Sequence, residues 1–113
     1  MGVLVYGSQG RSFDIEDRLL AHLRIVFMNK LRRGEPFMFQ RSDVGGLYSV
    51  WVHPTIPLSF QFSGSRAPSI NRYWVEALLA EAGGSNGLSV IPEPAGGPVE
   101  TSPVSDTRSR QRR

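Results

Sequence analysis

Three runs in the middle of the chain alternate. Phe37, Phe39 and Arg41 interleave with Met38 and Gln40. Tyr48, Val50 and Val52 interleave with Leu47, Ser49, Trp51 and His53, and Leu58, Phe60 and Phe62 with Ser59, Gln61 and Ser63. Period-two spacing gives each strand one buried face and one partly solvated face. Ser42 to Gly46, with Asp43 and two glycines, reads as a hairpin loop. Pro54 and Pro57 separate the second run from the third, because proline has no N–H to give a ladder. Ahead of these runs, Val3 to Tyr6 forms a short strand, Gly7-Ser8-Gln9-Gly10 a turn, and Arg11 to Phe13 a returning strand.

Two stretches change period. From Glu16 to Arg33, Leu20, Leu23, Phe27 and Leu31 recur at helical spacing, widened by Leu19, Ile25 and Val26. Asp14 or Asp17 is the expected cap. Lys30, Arg32 and Arg33 suit the last turn, and Gly34 is the expected stop. A second helix is predicted from Ser69, its expected cap, to Ala82, with Ile70, Trp74 and Leu78 toward the sheet and Gly83-Gly84 ending it. Residues 87–91 would add a short strand. The predicted fold class is α+β: a small, mainly antiparallel sheet with two helices packed on one face.

Apolar residues all but stop after Ile91. From Pro92 the composition turns to Pro, Gly, Ser, Thr and Glu and ends in Arg108-Ser109-Arg110-Gln111-Arg112-Arg113. Such a segment cannot bury enough apolar surface to offset its ordering entropy. The expected organisation is one domain over 1–92 and a disordered tail over 93–113.

The chain has 113 residues and a formal charge of +3. Residues 1–92 hold nine basic and seven acidic side chains, net +2; the tail holds four arginines and three acids, net +1. A net +2 on the folded part is a weak electrostatic footprint for nucleic acid. With no cysteine, disulfides and thiolate metal sites are excluded. Met1 to Tyr6 has no positive flank and is neither a signal peptide nor a membrane span, so a cytoplasmic protein is expected, with no membrane partner.

Most chemistry is absent. The one lysine, Lys30, is followed by Leu31, so there is no P-loop. No dinucleotide fingerprint and no G-x-S-x-G elbow occur. Gly7-x-x-Gly10 has the spacing of a KH-domain loop but joins strands, where that loop joins helices. His22 and His53 lie on separate elements with no carboxylate at ligand spacing, and both read as surface or half-buried residues rather than metal ligands. Asp14, Glu16 and Asp17 are accounted for by a helix N-terminus. No cofactor, metal or catalytic residue is assigned.

Phe62-Ser63-Gly64-Ser65-Arg66 remains. It is either a corner that turns a strand into a helix, with Gly64 easing the turn and Pro68 and Ser69 preparing the helix, or an anion cradle. In the second reading Ser63, Ser65, Arg66 and Arg72 hold a phosphate, and Arg32 and Arg33 complete the site if the end of the first helix lies nearby. Trp51 falls out of phase with Val50 and Val52. If the valines point inward, Trp51 and His53 form an exposed patch; otherwise Trp51 joins the core.

Six stretches together resemble a small family of uncharacterised actinobacterial proteins, often labelled automatically as ATP-dependent DNA ligase. They are Gly2-Val3-Leu4-Val5-Tyr6-Gly7, Leu20-Ala21-His22-Leu23, Lys30-Leu31-Arg32-Arg33-Gly34-Glu35, Trp51-Val52-His53-Pro54-Thr55-Ile56-Pro57-Leu58, Phe62-Ser63-Gly64-Ser65-Arg66 and Asn71-Arg72-Tyr73-Trp74-Val75-Glu76-Ala77-Leu78. The resemblance spans residues 1 to about 92. A ligase would need a nucleophilic lysine in K-x-D-G, and Lys30-Leu31-Arg32-Arg33 does not supply it, so that activity is not carried over. The expectation is a non-catalytic nucleic-acid-associated or phosphate-binding domain with DNA or RNA as partner. The alternative is a protein–protein interaction module. A ligase-related activity is a third reading, resting on the label alone.

Overall fold

The computed structural model describes residues 1–43 and 45–95. Its element order is β1 (Gly2–Tyr6), β2 (Arg11–Ile15), α1 (Asp17–Arg32), β3 (Phe37–Asp43), β4 (Gly46–Val52), β5 (Leu58–Gln61), α2 (Arg72–Ala82) and β6 (Leu88–Ser89). The α+β class holds, and the described strands divide between two three-stranded sheets. One has the order β2-β1-β5 and is antiparallel throughout. The other has the order β4-β3-β6, with β6 running parallel to β3. The residues expected in the tail lie outside the described part from 96 onward.

Each strand's register follows its alternation. In the β3–β4 hairpin, Phe37 faces Val52 and Phe39 faces Val50, while Met38 pairs with Trp51 and Ser42 with Leu47 on the other face. The first set points to the core: Phe37, Phe39 and Val52 are buried and Val50 half-buried. In the other sheet Leu4 of β1 sits between Phe13 of β2 and Phe60 of β5.

The stripe of α1 forms the middle of the core. Leu19, Leu20, Leu23, Val26 and Phe27 are buried, and Ile25 and Leu31 are half-buried at its margin. Phe27 meets Phe37 and Phe39 of one sheet and Phe60 of the other, edge to face, with ring centroids 5.0, 5.3 and 5.6 Å away. One helical side chain thus joins both sheets. A second link is polar: the Tyr6 hydroxyl of β1 donates to the Trp51 carbonyl of β4 and accepts from the His53 N–H at 3.3 Å. Helix α1 ends as expected. Gly34, at φ +71°, donates to the Leu31 carbonyl, Glu35 donates to that of Lys30, and the Lys30 ammonium pairs with Glu35 at 3.1 Å.

The N-terminal ends of both helices differ from expectation. Glu16 precedes α1 and makes no side-chain cap bond, while Asp14 lies within β2 and Asp17 opens the helix with its carboxylate turned elsewhere. Helix α2 begins at Arg72, and Asn71 rather than Ser69 caps it, its Oδ1 accepting from Tyr73 N–H at 3.0 Å and Trp74 N–H at 3.4 Å. Ile70 therefore lies outside the helix and is 41% exposed, while Trp74, Val75 and Leu78 are buried.

Candidate functional site

The strand-to-helix corner answers its own question: it cradles an anion, and the anion is the chain's own. The Asp17 carboxylate accepts from the Ser63 N–H at 3.2 Å, the Ser63 hydroxyl at 3.0 Å and the Gly64 N–H at 3.0 Å. Those donors, Gly64's N–H first and Ser63's second, hold the Asp17 carboxyl below its ordinary value. Gly64 is not among the glycines at positive φ, so left-handed backbone is not what the turn needs from it.

From the next residue, a second set of polar bonds fixes the segments on either side of α2. Arg18 donates from Nε and Nη2 to Glu93 at 2.8 and 2.6 Å, and from Nη1 to the Ser69 carbonyl at 2.9 Å. The pair is partly open to solvent, at 39% and 31% exposure. Arg18, with the Asn71 amide, brings the Glu93 carboxyl down to about 2, and the same bond raises the Arg18 guanidinium.

His22, expected to be a surface or half-buried residue, is fully buried. Its Nε2 accepts from the Asn71 N–H at 2.8 Å, so Nδ1 carries the proton it gives to the Arg18 carbonyl at 2.7 Å. Its ring lies 4.5 Å from that of Trp74, whose Nε1–H donates to the Ile91 carbonyl at 2.9 Å. These bonds take in residues past 92: Glu93 pairs with Arg18, and the Pro94 carbonyl accepts from Asn71.

Beside this clasp runs a groove. One part, of about 460 Å³, lies between Arg24 and Ile25 of α1 and the corner residues Phe62, Ser65, Arg66 and Ile70. A neighbouring part of about 580 Å³ shares Ile25 and Ile70 and adds Arg72, Val75, Glu76 and Leu79. Its floor is apolar and its rim carries three arginines, none with a hydrogen bond or ion pair among the described residues.

The expected site residues therefore separate. Arg66 and Ser65 line the first part of the groove and Arg72 the second. Ser63 is committed to Asp17. Arg32 and Arg33 lie at the far end of α1 from Asp17, ~22 Å away by helical rise, so the condition that would bring them to the corner is not met. Trp51 is 52% exposed and Leu47 is 67% exposed on the outward face of β4. His53 is half-buried, its Nδ1 bound to Thr55 in the turn that follows β4. Among the described residues no group of His, Asp and Glu could hold a metal, and no helix is long and apolar enough to cross a membrane.

A family described as a domain of unknown function (DUF7882) matches residues 1–93. The chain belongs to this family. The DUF7882 match ends at Glu93, the last acid held by the clasp, and takes in every groove residue. No curated protein and no solved structure matches the chain.

Proposed function

We propose that this domain is a non-catalytic protein-interaction module, and that the groove between α1 and the segment leading into α2 is its docking face. The observation that carries the reading is the apolar floor of Ile25, Phe62, Ile70, Val75 and Leu79 under Arg24, Arg66 and Arg72, none of which has a partner among the described residues. Such a surface fits a polypeptide segment with apolar anchors and carboxylates: the anchors leave water on the floor and the arginines take the acids.

Nucleic acid is the second reading, favoured by the same three arginines and by the exposed Tyr73 beside Arg72. It has less to work with. The backbone donors that would cradle a phosphate are given to Asp17, the first N–H groups of α2 are capped by Asn71, and the groove floor is mostly aliphatic, where single strands are held by stacking on rings. A ligase-related activity would use Lys30, whose ammonium is paired with Glu35 at the end of α1.

Peptide-library selection on the full chain, counter-selected against Arg24→Glu/Arg66→Glu, tests the reading. Peptides with carboxylates beside apolar residues should enrich, and Arg66→Ala should weaken them. In parallel, single- and double-stranded DNA and RNA are titrated at low and raised salt. No enrichment, together with nucleic-acid binding whose salt slope Arg66→Ala flattens by about one unit, would replace this reading by the second.

A further inference from the structure

The chain carries a segment with the composition that the groove selects. Residues 96–107 hold two acids, Glu100 and Asp106, and no base, and each acid follows a Pro-Val pair: Pro98-Val99-Glu100 and Pro103-Val104-Ser105-Asp106. Both groups are an apolar side chain beside a carboxylate. The described chain ends beside residues that flank the groove. The Pro94 carbonyl accepts from Asn71, which adjoins Ile70 and Arg72, and Glu93 is already held by Arg18, two turns before Ile25 on the same helix. From Ala95, four extended residues span ~13 Å and bring Val99 within reach of Ile70 and its neighbours. The two Pro-Val pairs lie five residues apart, ~15 Å in the extended conformation that proline favours. The charges are complementary within this stretch: its two acids, with no base before Arg108, meet a lining of three arginines and one acid, Glu76, and the arginines have no partner among the described residues.

We propose that residues 98–106 are an intramolecular ligand of the groove, extending the Glu93–Arg18 contact by placing Val99 and Val104 on the apolar floor and Glu100 and Asp106 on the arginine rim. The inference rests on the groove being a peptide-docking face. Its consequence is regulatory: an outside segment must displace this one, so apparent affinity falls by the fraction of time the groove is free.

The chain has no cysteine, so Ser102→Cys gives a single site for a spin label on the full chain. Paramagnetic broadening should concentrate on the methyl groups of Ile25, Ile70 and Leu79 and spare Leu47. It should fade in Glu100→Gln/Asp106→Asn and at high salt. A mixture of spin-labelled protein and isotope-labelled, spin-free protein should show no transfer. Broadening that is absent, uniform or centred elsewhere overturns the proposal, as does transfer between molecules, which would assign the groove to a second copy's segment. Peptides selected on the groove separate the two claims. If they bind at Ile25 and Ile70 while the spin label leaves these residues untouched, the intramolecular ligand fails alone; if they do not bind there, the docking face fails as well. Where residues 98–106 occupy the groove half the time or more, Glu100→Gln/Asp106→Asn should bind such a peptide about twofold tighter or better.

Discussion

Replacing His22 by alanine should be among the more damaging single changes to this domain. The ring is fully buried, accepts the Asn71 N–H at 2.8 Å and lies 4.5 Å from the Trp74 ring at a tilt of 42°. Alanine leaves that N–H without a partner, at about 1–3 kcal/mol. If a cavity on the order of 50 Å³ fails to collapse, about 1 kcal/mol more is lost. The Arg18 carbonyl keeps its helical donor, so nothing is added there. The total, about 2–4 kcal/mol, is a large share of the 5–15 kcal/mol or so that holds a typical domain. For a domain of this size it corresponds to a fall in thermal midpoint of roughly 10–25 °C. Denaturant unfolding of the full chain at neutral pH measures the loss. His22→Phe and His22→Gln apportion it: Phe keeps a ring against Trp74 but orphans the amide, while Gln can offer an acceptor near the Nε2 position. Gln should therefore be the more stable of the two, and the Asn71 amide should exchange faster in Phe. A loss below about 0.5 kcal/mol for His22→Ala, the range of an ordinary surface change, would refute the reasoning, as would a Phe variant equal to wild type.

Acid should weaken the clasp. The Glu93 carboxyl lies below its ordinary 4.5, at about 2, in the folded chain, so its contribution is full above 4.5 and is lost as pH falls toward 2. Asp17 acts in the same direction below its ordinary 3.8. Glu93→Gln should lower the thermal midpoint at neutral pH and make its acid decline shallower; a curve parallel to wild type would sink the assignment. Gly87→Ala should release β6 from β3, because Gly87 sits at φ +82° and an added Cβ would lie 2.5 Å from the Met38 carbonyl oxygen. The left-handed backbone alone costs alanine about 1–2 kcal/mol, so an unchanged denaturation midpoint would contradict the close approach. The purified protein should take no covalent label from ATP with Mg²⁺, since it has no K-x-D-G lysine; an adduct lost in Lys30→Ala would reverse that.

The strands and α1 were legible because alternation and helical stripe report which face is buried. Alternation does not report which strand lies beside which. β1 pairs with β5 across more than fifty residues, and nothing local separates one sheet of six strands from two sheets of three. The start of α2 shifted for a tertiary reason: with the Asn71 N–H bound to His22 and the Ser69 carbonyl bound to Arg18, residues 69–71 are held outside the helix. His22 carried a readable signal. It falls three residues after Leu19 and four before Val26, on the buried stripe, where a polar ring must find partners. Glu93 carried less, because a boundary drawn where apolar residues end does not register a contact made by charge. Arg66 and Arg72 were legible as exposed cations, but Arg24 was not, since one arginine on a helix face does not show what packs beside it.

The corner between β5 and α2 shows why a motif search alone misleads here. Backbone N–H groups converging on an oxygen are what a phosphate site requires, and this chain has them at Ser63 and Gly64. It uses them to fasten the end of β5 to the start of α1. The same helix end sends Arg18 to Glu93 and His22 to Asn71, so Asp17, Arg18 and His22 hold three separate non-helical segments. In a chain with no disulfide, those bonds fix the open ends of a small core. They also fix Ile70, which stands between the Ser69 carbonyl bound by Arg18 and the Asn71 N–H bound by His22. The apolar groove is therefore only as well formed as the clasp beside it. Changes at Arg18 or His22 should weaken groove binding through the position of Ile70, without touching a ligand, whereas Arg24→Ala and Arg66→Ala should weaken it with the thermal midpoint unchanged. Measuring both quantities on the same variants separates the residues that shape the face from those that contact what binds there.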